Sequence, residues 1–435
     1  MATIYIDPSA GTDGAGTFAD PRNTVPTFSS NNTYLFASGR TLSGSGTLIN
    51  FPAGNTNIVV GVYDPLTGSE VKGWSGKLKI RSDGQYPVRV NTSAHGAVIS
   101  MLDVSSTYSG SNGRGILIGN SATLIVNNVK VVDCDIHDLT EGATAVGVTC
   151  YGNNFEIRRC NIWNISEDGL RIYGSNAVIV HNNIWDVDQD NSMGDCIQIV
   201  GNADISCNNN YIAFNRLTNP NGNKQSVILQ DTTGGSSGGV IEHNHIEIAS
   251  GGSNQPIYVE VDNFKVRNNV ILGGYYGIFM AGSGCEISGN IISQFSYRGV
   301  HLEGGRSLLK ANNNTVIGSG ASSGIFLNTS TDSTAKNNVI TGCGIGLSKH
   351  GSATEDYNCY HGNSTDRGNT GGTPSWGSHS IFVDPMLTGN GRPALNSPLL
   401  TSGADLGYLR DITGKQCRKH IGAYGAARLV PVDGS

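Results

Sequence analysis

One short pattern recurs along the chain and leaves few folds open. A small residue leads an apolar–any–apolar run at Gly115-Ile116-Leu117-Ile118, Gly169-Leu170-Arg171-Ile172, Cys196-Ile197-Gln198-Ile199 and Ser226-Val227-Ile228-Leu229. It returns at Pro256-Ile257-Tyr258-Val259, Gly277-Ile278-Phe279-Met280, Gly299-Val300-His301-Leu302, Gly324-Ile325-Phe326-Leu327 and Gly344-Ile345-Gly346-Leu347. Asn-bearing runs follow, such as Asn182-Asn183-Ile184, Asn210-Tyr211-Ile212, Asn244-His245-Ile246, Asn268-Asn269-Val270, Asn314-Thr315-Val316 and Asn337-Asn338-Val339. The repeat is about 21 to 34 residues long, which is the length of one turn of a solenoid.

Short strands of this kind cannot bury an inner face alone; stacking successive turns closes a continuous core. Gly and Asn tolerate left-handed backbone and so supply the tight turns. An Asn returning at one point of each turn stacks as an amide ladder. Cys134 and Cys160 fall in the same column one and two turns earlier, which marks them as interior fillers. A leucine-rich repeat needs a Leu-x-x-Leu-x-Leu frame and a helix per repeat, and neither is present. A β-propeller needs about four strands per forty residues. The pattern therefore predicts an all-β, right-handed, single-stranded parallel β-helix, right-handedness being the rule for parallel crossovers.

Composition agrees. The 435 residues include 60 Gly, only 14% are charged, and the net charge is −6. That balance excludes a coiled coil and a basic nucleic-acid binder. No run of about 20 apolar residues suits membrane insertion. Nine cysteines without CxxC or Cys/His spacing do not form a metal or disulfide framework. Residues 1–60 read as an N-terminal cap with a short helix near Asn23–Phe28. Residues 61–360 read as the β-helix, with coils from about residue 75, and 361–435 as a C-terminal loop and cap. His361 to Trp376 reads as a long surface loop. Met1-Ala2-Thr3-Ile4-Tyr5-Ile6 shows no basic region followed by an apolar core, so no signal peptide is visible.

The chain resembles the right-handed parallel β-helix repeat proteins. Its opening, Ile4-Tyr5-Ile6-Asp7-Pro8 through Gly11-Thr12-Asp13 and Asp20-Pro21, is similar to the first segment of many secreted and phage members. Asn396-Ser397-Pro398, Gly403-Ala404-Asp405 and Ile421-Gly422-Ala423-Tyr424 resemble their closing segment. The resemblance implies polysaccharide lyases, glycoside hydrolases, epimerases and tailspike depolymerases. It also implies a polysaccharide partner, an extracellular or phage-tail location, and a homotrimer if the chain is a tailspike.

Aligned on the small residue, the strands give three outward lines. The line before it reads Arg114, Asp168, Asp195, Gln225, Gln255, Tyr276, Arg298. The middle line reads Leu117, Arg171, Gln198, Ile228, Tyr258, Phe279, His301, Phe326, and the line after the strand reads Tyr173, Val200, Gln230, Glu260, Ala281, Glu303, Asn328. Asp168 and Asp195 fall on neighbouring coils, where two carboxylates push one pKa up and can divide acid and base roles. Glu167-Asp168-Gly169-Leu170 and Gly194-Asp195-Cys196-Ile197 faintly resemble the two acid-bearing strands of polygalacturonases, with Gly194 where that family has an Asp. Glu260 and Glu303 lie two coils apart, roughly 9.6 Å at the usual strand spacing, which leaves room for an attacking water.

Arg171, Tyr173, Gln198, Lys224, Gln230, Tyr258, Arg298 and His301 are the substrate-binding set, with Lys224 as an alternative lyase base. No cofactor is required. The oxygen-rich Asp186, Asp188 and Asp190 offer hard ligands for an optional Ca²⁺. Trp163 and Trp185 share a column on another face, a sugar platform or simple packing. The expected function is an endo-acting polysaccharide depolymerase, with hydrolysis by paired carboxylates first. β-Elimination on a uronate polymer comes second, and a non-catalytic glycan-binding adhesin third.

Overall fold

The computed structural model describes all residues except 74, 122, 190–193, 220–224, 250–252, 329–331, 351, 373, 390, 408–410, 414–419 and 425–435. Lys224 and Asp190 therefore lie outside the described residues. The chain divides into two compact units, Met1–Ser237 and Gly238–Ser435. Each is a right-handed parallel β-helix in which every coil contributes to three parallel sheets.

In the first unit the first sheet starts with Thr3–Ile6 and Thr33–Ala37 and ends with Val178–Val180 and Asn210–Ala213. The second runs from Thr41–Gly44 through Asn161–Ile165 and Asn183–Trp185 to Arg216–Asn219. The third runs from Ile49–Phe51 through Leu170–Tyr173 and Ile197–Gly201 to Gln225–Asp231. Pairing thus begins at Thr3, inside the stretch expected to be a cap, and residues 23–28 hold no helix. Pro26 denies that segment a backbone donor, and Phe28 is buried against Tyr34 and Phe51.

The second unit repeats the plan. Its third sheet comprises Gln255–Val259, Tyr276–Met280, Arg298–Leu302, Ser323–Leu327, Ile345–His350 and Thr365–Gly371. The last strand corrects the surface loop expected between His361 and Trp376. Gly and Thr there hide a seven-residue strand that pairs with Ile345–His350. Beyond the last coil Ile381 pairs with Cys359, Tyr360 N–H donating to Ile381 O and Ile381 N–H to Asn358 O, and the closing segment then lies along the coils: Ala423 N–H donates to Thr315 Oγ1, and Leu399 and Ile421 pack with Val339 and Cys359.

Between the first and second sheets the chain turns on single left-handed residues. In successive coils these are Asp133, Arg159, His181 and Phe214 in the first unit, and His243, Asn268, Gly289, Asn313, Asn337 and Tyr357 in the second. Such backbone is uncommon outside glycine. It is held by the next residue, the predicted ladder. Asn244, Asn269, Asn290, Asn314, Asn338 and Asn358 are buried, and each Oδ1 from Asn269 onward accepts both the backbone and the side-chain N–H of the Asn before it. In the first unit Asn215 supports Asn182, and Asn182 Oδ1 accepts from Cys160 N, so the Cys column leads into the Asn ladder as read. Asn210 is not a ladder member; it opens a first-sheet strand.

The recurring glycine at the head of each third-sheet strand has a different cause from the expected turn. Gly277, Gly299 and Gly324 do not have left-handed backbone. A Cβ there would sit 2.4 to 2.5 Å from Ile292 Cγ2, Val316 Cγ1 and Ile340 Cγ2. The position faces the interior, and the second sheet's methyl groups already fill it.

Candidate functional site

In the first unit, the third sheet brings Thr149, Arg171, Gln198 and Ile228 into one column, with Arg171 opposite Gln198 as expected and Thr149 supplying a coil the sequence reading omitted. Tyr173 stacks on Tyr151, with ring centroids 4.5 Å apart. Gln230 lies opposite Val200.

Asp168 and Asp195 are neighbours in successive coils, but they are not on the outer wall. Both are buried. Asp168 Oδ1 accepts the backbone N–H of Asp195 (2.8 Å), and Asp195 Oδ1 accepts that of Gln225 (3.0 Å). Arg171 covers them, binding Asp168 Oδ2 through Nε (2.5 Å) and Glu167 Oε1 through Nη2 (2.7 Å). Burial pushes the Asp168 carboxyl up to about 6 against the pull of Arg171. Burial and the neighbouring Asp168 raise Asp195 as well. The predicted proximity and pKa shift are present, while access to a substrate is not. The pair serves as a coil-to-coil staple, carrying backbone donors that the corner would otherwise leave unmet.

The calcium set divides. Asp188 is buried, and its Oδ1 accepts the backbone N–H of Gly194 at 2.9 Å. Asp186 takes a left-handed corner. Among the described residues no group of three or more His, Cys, Asp or Glu side chains is arranged to hold a metal ion.

In the second unit, Tyr258, Phe279, His301 and Phe326 are successive partners on the third sheet. Their rings form a continuous row, with centroids 5.1 Å apart from Tyr258 to Phe279, 4.6 Å from Phe279 to His301 and 5.2 Å from His301 to Phe326. Two residues further along the same strand face stand Glu260, Ala281, Glu303 and Asn328. Their register is carried by Ala281 N–H to Val259 O, Glu303 N–H to Met280 O and Asn328 N–H to Leu302 O. The two glutamates are thus two rungs apart, with only the Ala281 methyl between them.

Each glutamate has a ring partner. The Tyr258 hydroxyl donates to Glu260 Oε1, and burial together with this bond raises the phenol's pKa. His301 Nε2 lies 3.2 Å from Glu303 Oε2. Arg298 Nη1 reaches His301 Nδ1 at 3.1 Å. A guanidinium can only donate, so Nδ1 is the acceptor and the imidazole proton sits on Nε2. Burial, and then the Arg298 charge, push His301 down to about 3, so it is neutral at physiological pH. Tyr275 and Tyr297, which the sequence reading passed over, stack at 4.6 Å and extend the aromatic wall. Their signal was visible as Tyr275-Tyr276 and Tyr297-Arg298 at the same point of consecutive coils.

A second aromatic row lies on the second sheet of the first unit. Trp163 and Trp185 stack at 5.0 Å, and His137 stacks on Trp163 at 4.2 Å. The rings cover one another's faces. His137 is clamped between Asp103 (2.7 Å) and Asp138 (2.8 Å), which fixes that end of the row.

Residues 75–233 match the family described as right-handed beta helix region. Together with the three stacked parallel sheets, this decides the class. The chain has the right-handed parallel β-helix fold. Residues 208–390 of this β-helix match the family described as periplasmic copper-binding protein (NosD). Copper sites use converging imidazole and sulfur ligands, whereas the eight described cysteines of the β-helix are free, buried thiols and no metal-holding group is found among the described residues. The described residues do not fit a copper centre.

No curated protein matches the β-helix by sequence. Among solved structures it is similar to a GH136 lacto-N-biosidase from Eubacterium ramulus, at 13% identity over 86% of this chain and 68% of that one, with a TM-score of 0.43. It is also similar to the PL6 family alginate lyase AlyGC, at 13% identity over 80% and 51%, with a TM-score of 0.49. A third is the tailspike gp49 from Acinetobacter baumannii bacteriophage Fri1, a capsular polysaccharide depolymerase, at 11% identity over 81% and 57%, with a TM-score of 0.40.

Proposed function

We propose that this β-helix is an extracellular, endo-acting depolymerase that hydrolyses a polysaccharide on the third-sheet face of its second unit. The observation that carries the reading is the pairing of Glu260 and Glu303 beside the aromatic row Tyr258–Phe279–His301–Phe326. Flat apolar rings with polar rims suit sugar rings, which present C–H faces and hydroxyl edges. Two rungs of sheet set the glutamate backbones roughly 9.6 Å apart. That is just beyond the carboxyl-to-carboxyl separation of about 6.5–9.5 Å used for inverting hydrolysis, a gap that side chains leaning toward each other close. The small Ala281 between them leaves space for a glycosidic bond and a water. Glu260, accepting from Tyr258, suits the base that activates the water. Glu303 suits the acid that protonates the leaving oxygen.

The lyase alternative is less well served here. A base that removes a carbon-bound proton works best with a pKa near the working pH. His301 is pushed to about 3 and Tyr258 is raised, so both stand far from that point. The test is incubation of the β-helix with acidic and neutral polysaccharides, with products read by reducing-end assay, ultraviolet absorbance and mass spectrometry. Saturated products with new reducing ends are expected. Glu260→Gln and Glu303→Gln should each lower the rate by at least about a hundredfold, the scale of general acid–base catalysis. Unsaturated, ultraviolet-absorbing products would establish elimination instead. Binding without any shortening would make the protein an adhesin.

A further inference from the structure

Among the described residues Arg298 has no acidic partner. Arg114 also lacks one but is held by the Gly113 and Thr144 carbonyls, and several other partly buried arginines are neutralised: Arg171 by Asp168 and Glu167, Arg159 by Asp133, Arg267 by Glu242 and Arg367 by Glu355. Arg298 instead meets neutral groups. Nη1 reaches His301 Nδ1 and Nη2 reaches the Tyr297 hydroxyl at 2.9 Å. The guanidinium carbon lies 3.5 Å from the centroid of the Phe326 ring and 4.5 Å from that of Tyr297.

Rings offset only part of the cost of withdrawing this charge from water. His301 cannot balance it, being neutral itself. A guanidinium has five N–H donors. Two are used here, and Nε is buried with no hydrogen-bond partner among the described residues. One hydrogen on each of Nη1 and Nη2 remains, the fork that takes a two-oxygen anion. The face is also polarised. Arg298 opens its strand and Glu303 follows the strand's end, and the His301 ring stands between their charged tips, touching both. An anion on the arginine is thus held apart from Glu303 by that ring.

We infer that Arg298 receives the acid group of an anionic sugar unit, a carboxylate or a sulfate ester, lying across the Tyr258–Phe326 row. The substrate class is then an acidic polysaccharide. This rests on the glycan-cleaving reading of the same face, and binding separates the two. Affinity electrophoresis of the whole chain would use alginate and polygalacturonate for the carboxylate source, dextran sulfate for the sulfate source, and dextran and arabinoxylan as neutral probes. Wild-type protein should be retarded at least about tenfold more strongly by a carboxylated or the sulfated probe than by either neutral one. Arg298→Gln should lose about ten- to a hundredfold of that preference, the scale of hydrogen bonds to a charged group. Arg298→Lys, which keeps the charge but not the fork, should fall between. Melting curves of both variants verify that the fold survives.

Equal retention by neutral and acidic probes, or acidic retention that neither variant weakens, overturns the inference. It falls equally if no glycan retards the protein. Arg298-dependent binding without new reducing ends would uphold it while removing the hydrolase. Cleavage of a neutral glycan that depends on Glu260 and Glu303 but not on Arg298 would do the reverse.

Discussion

Replacing Asn290 by alanine probes what holds the second unit's coils in register, and therefore what sets the Glu260–Glu303 spacing. Asn290 is fully buried. Its Oδ1 accepts Asn269 N and Nδ2, both at 3.0 Å, and its Nδ2 donates to Val266 O at 2.9 Å and Asn314 Oδ1 at 3.0 Å. Some of these groups keep other partners in the variant. Asn269 Nδ2 still reaches Ile241 O and Arg267 O, and Asn314 Oδ1 still accepts Asn290 N. The backbone N–H of Asn269 loses its acceptor, and a buried orphan donor costs roughly 1–3 kcal/mol. The two bonds donated by the lost amide contribute roughly 1 kcal/mol each. The sum is roughly 3–5 kcal/mol, large for a single substitution.

A long repeat array need not unfold in one step, so the readout should be local. Backbone hydrogen exchange at Asn269 should accelerate by about a hundredfold or more, since about 1.4 kcal/mol corresponds to a factor of ten. Cleavage should fall with it, because the coils that position the glutamates open together. Lys310→Ala, an exposed change in the following coil, should stay within about 0.5 kcal/mol of wild type. Unchanged protection at Asn269 in the Asn290→Ala protein would refute the ladder as a source of stability, as would an equal loss in the Lys310→Ala control.

Two further outcomes follow from the same geometry. His301 has a folded pKa of about 3 against about 6.5 when unfolded, so below about pH 6.5 the unfolded chain binds the extra proton. Its contribution is intact above about pH 6.5 and is lost as the pH falls toward 3. His301→Asn should flatten this acid-side loss of melting temperature, and a wild-type His301 resonance that titrates near pH 6.5 would contradict it. Gly299→Ala places a Cβ 2.5 Å from Val316 Cγ1 and 2.8 Å from Gly324 O. It should destabilise by roughly 1–3 kcal/mol, and Val316→Ala in the same chain should recover part of that in a double-mutant cycle; strict additivity would show that the methyl clash is not the cause.

Much of the site's register could be read in the chain. Tyr258, Phe279, His301 and Phe326 were placed in one column from the small–apolar–any–apolar frame alone, and Asp168 and Asp195 were placed on adjacent coils. The direction of the side chains was less legible. Alternation assigns faces only within a regular strand, and the residue before the glycine sits at a corner. There Asp168 and Asp195 turn in to meet backbone N–H groups, whereas Arg298 turns toward Tyr297 and Phe326. The coil carrying Thr149 was missed, and the Thr365–Gly371 strand read as loop. In the latter, partners from the previous coil supply the hydrogen bonds that composition would not promise.

The sequence alone determined the solenoid, because every coil must meet the same demands. Each needs a small residue where second-sheet methyls fill the interior, alternating apolar residues, and a cysteine or asparagine after the left-handed corner, so the same residue types return from turn to turn. Only the tertiary structure decided which acids face solvent and which arginines stand apart from a counter-ion. Those properties depend on what the next coil presents across a few ångströms, and neighbours twenty to thirty residues apart in the chain leave no local mark of whether they meet as partners or stand apart.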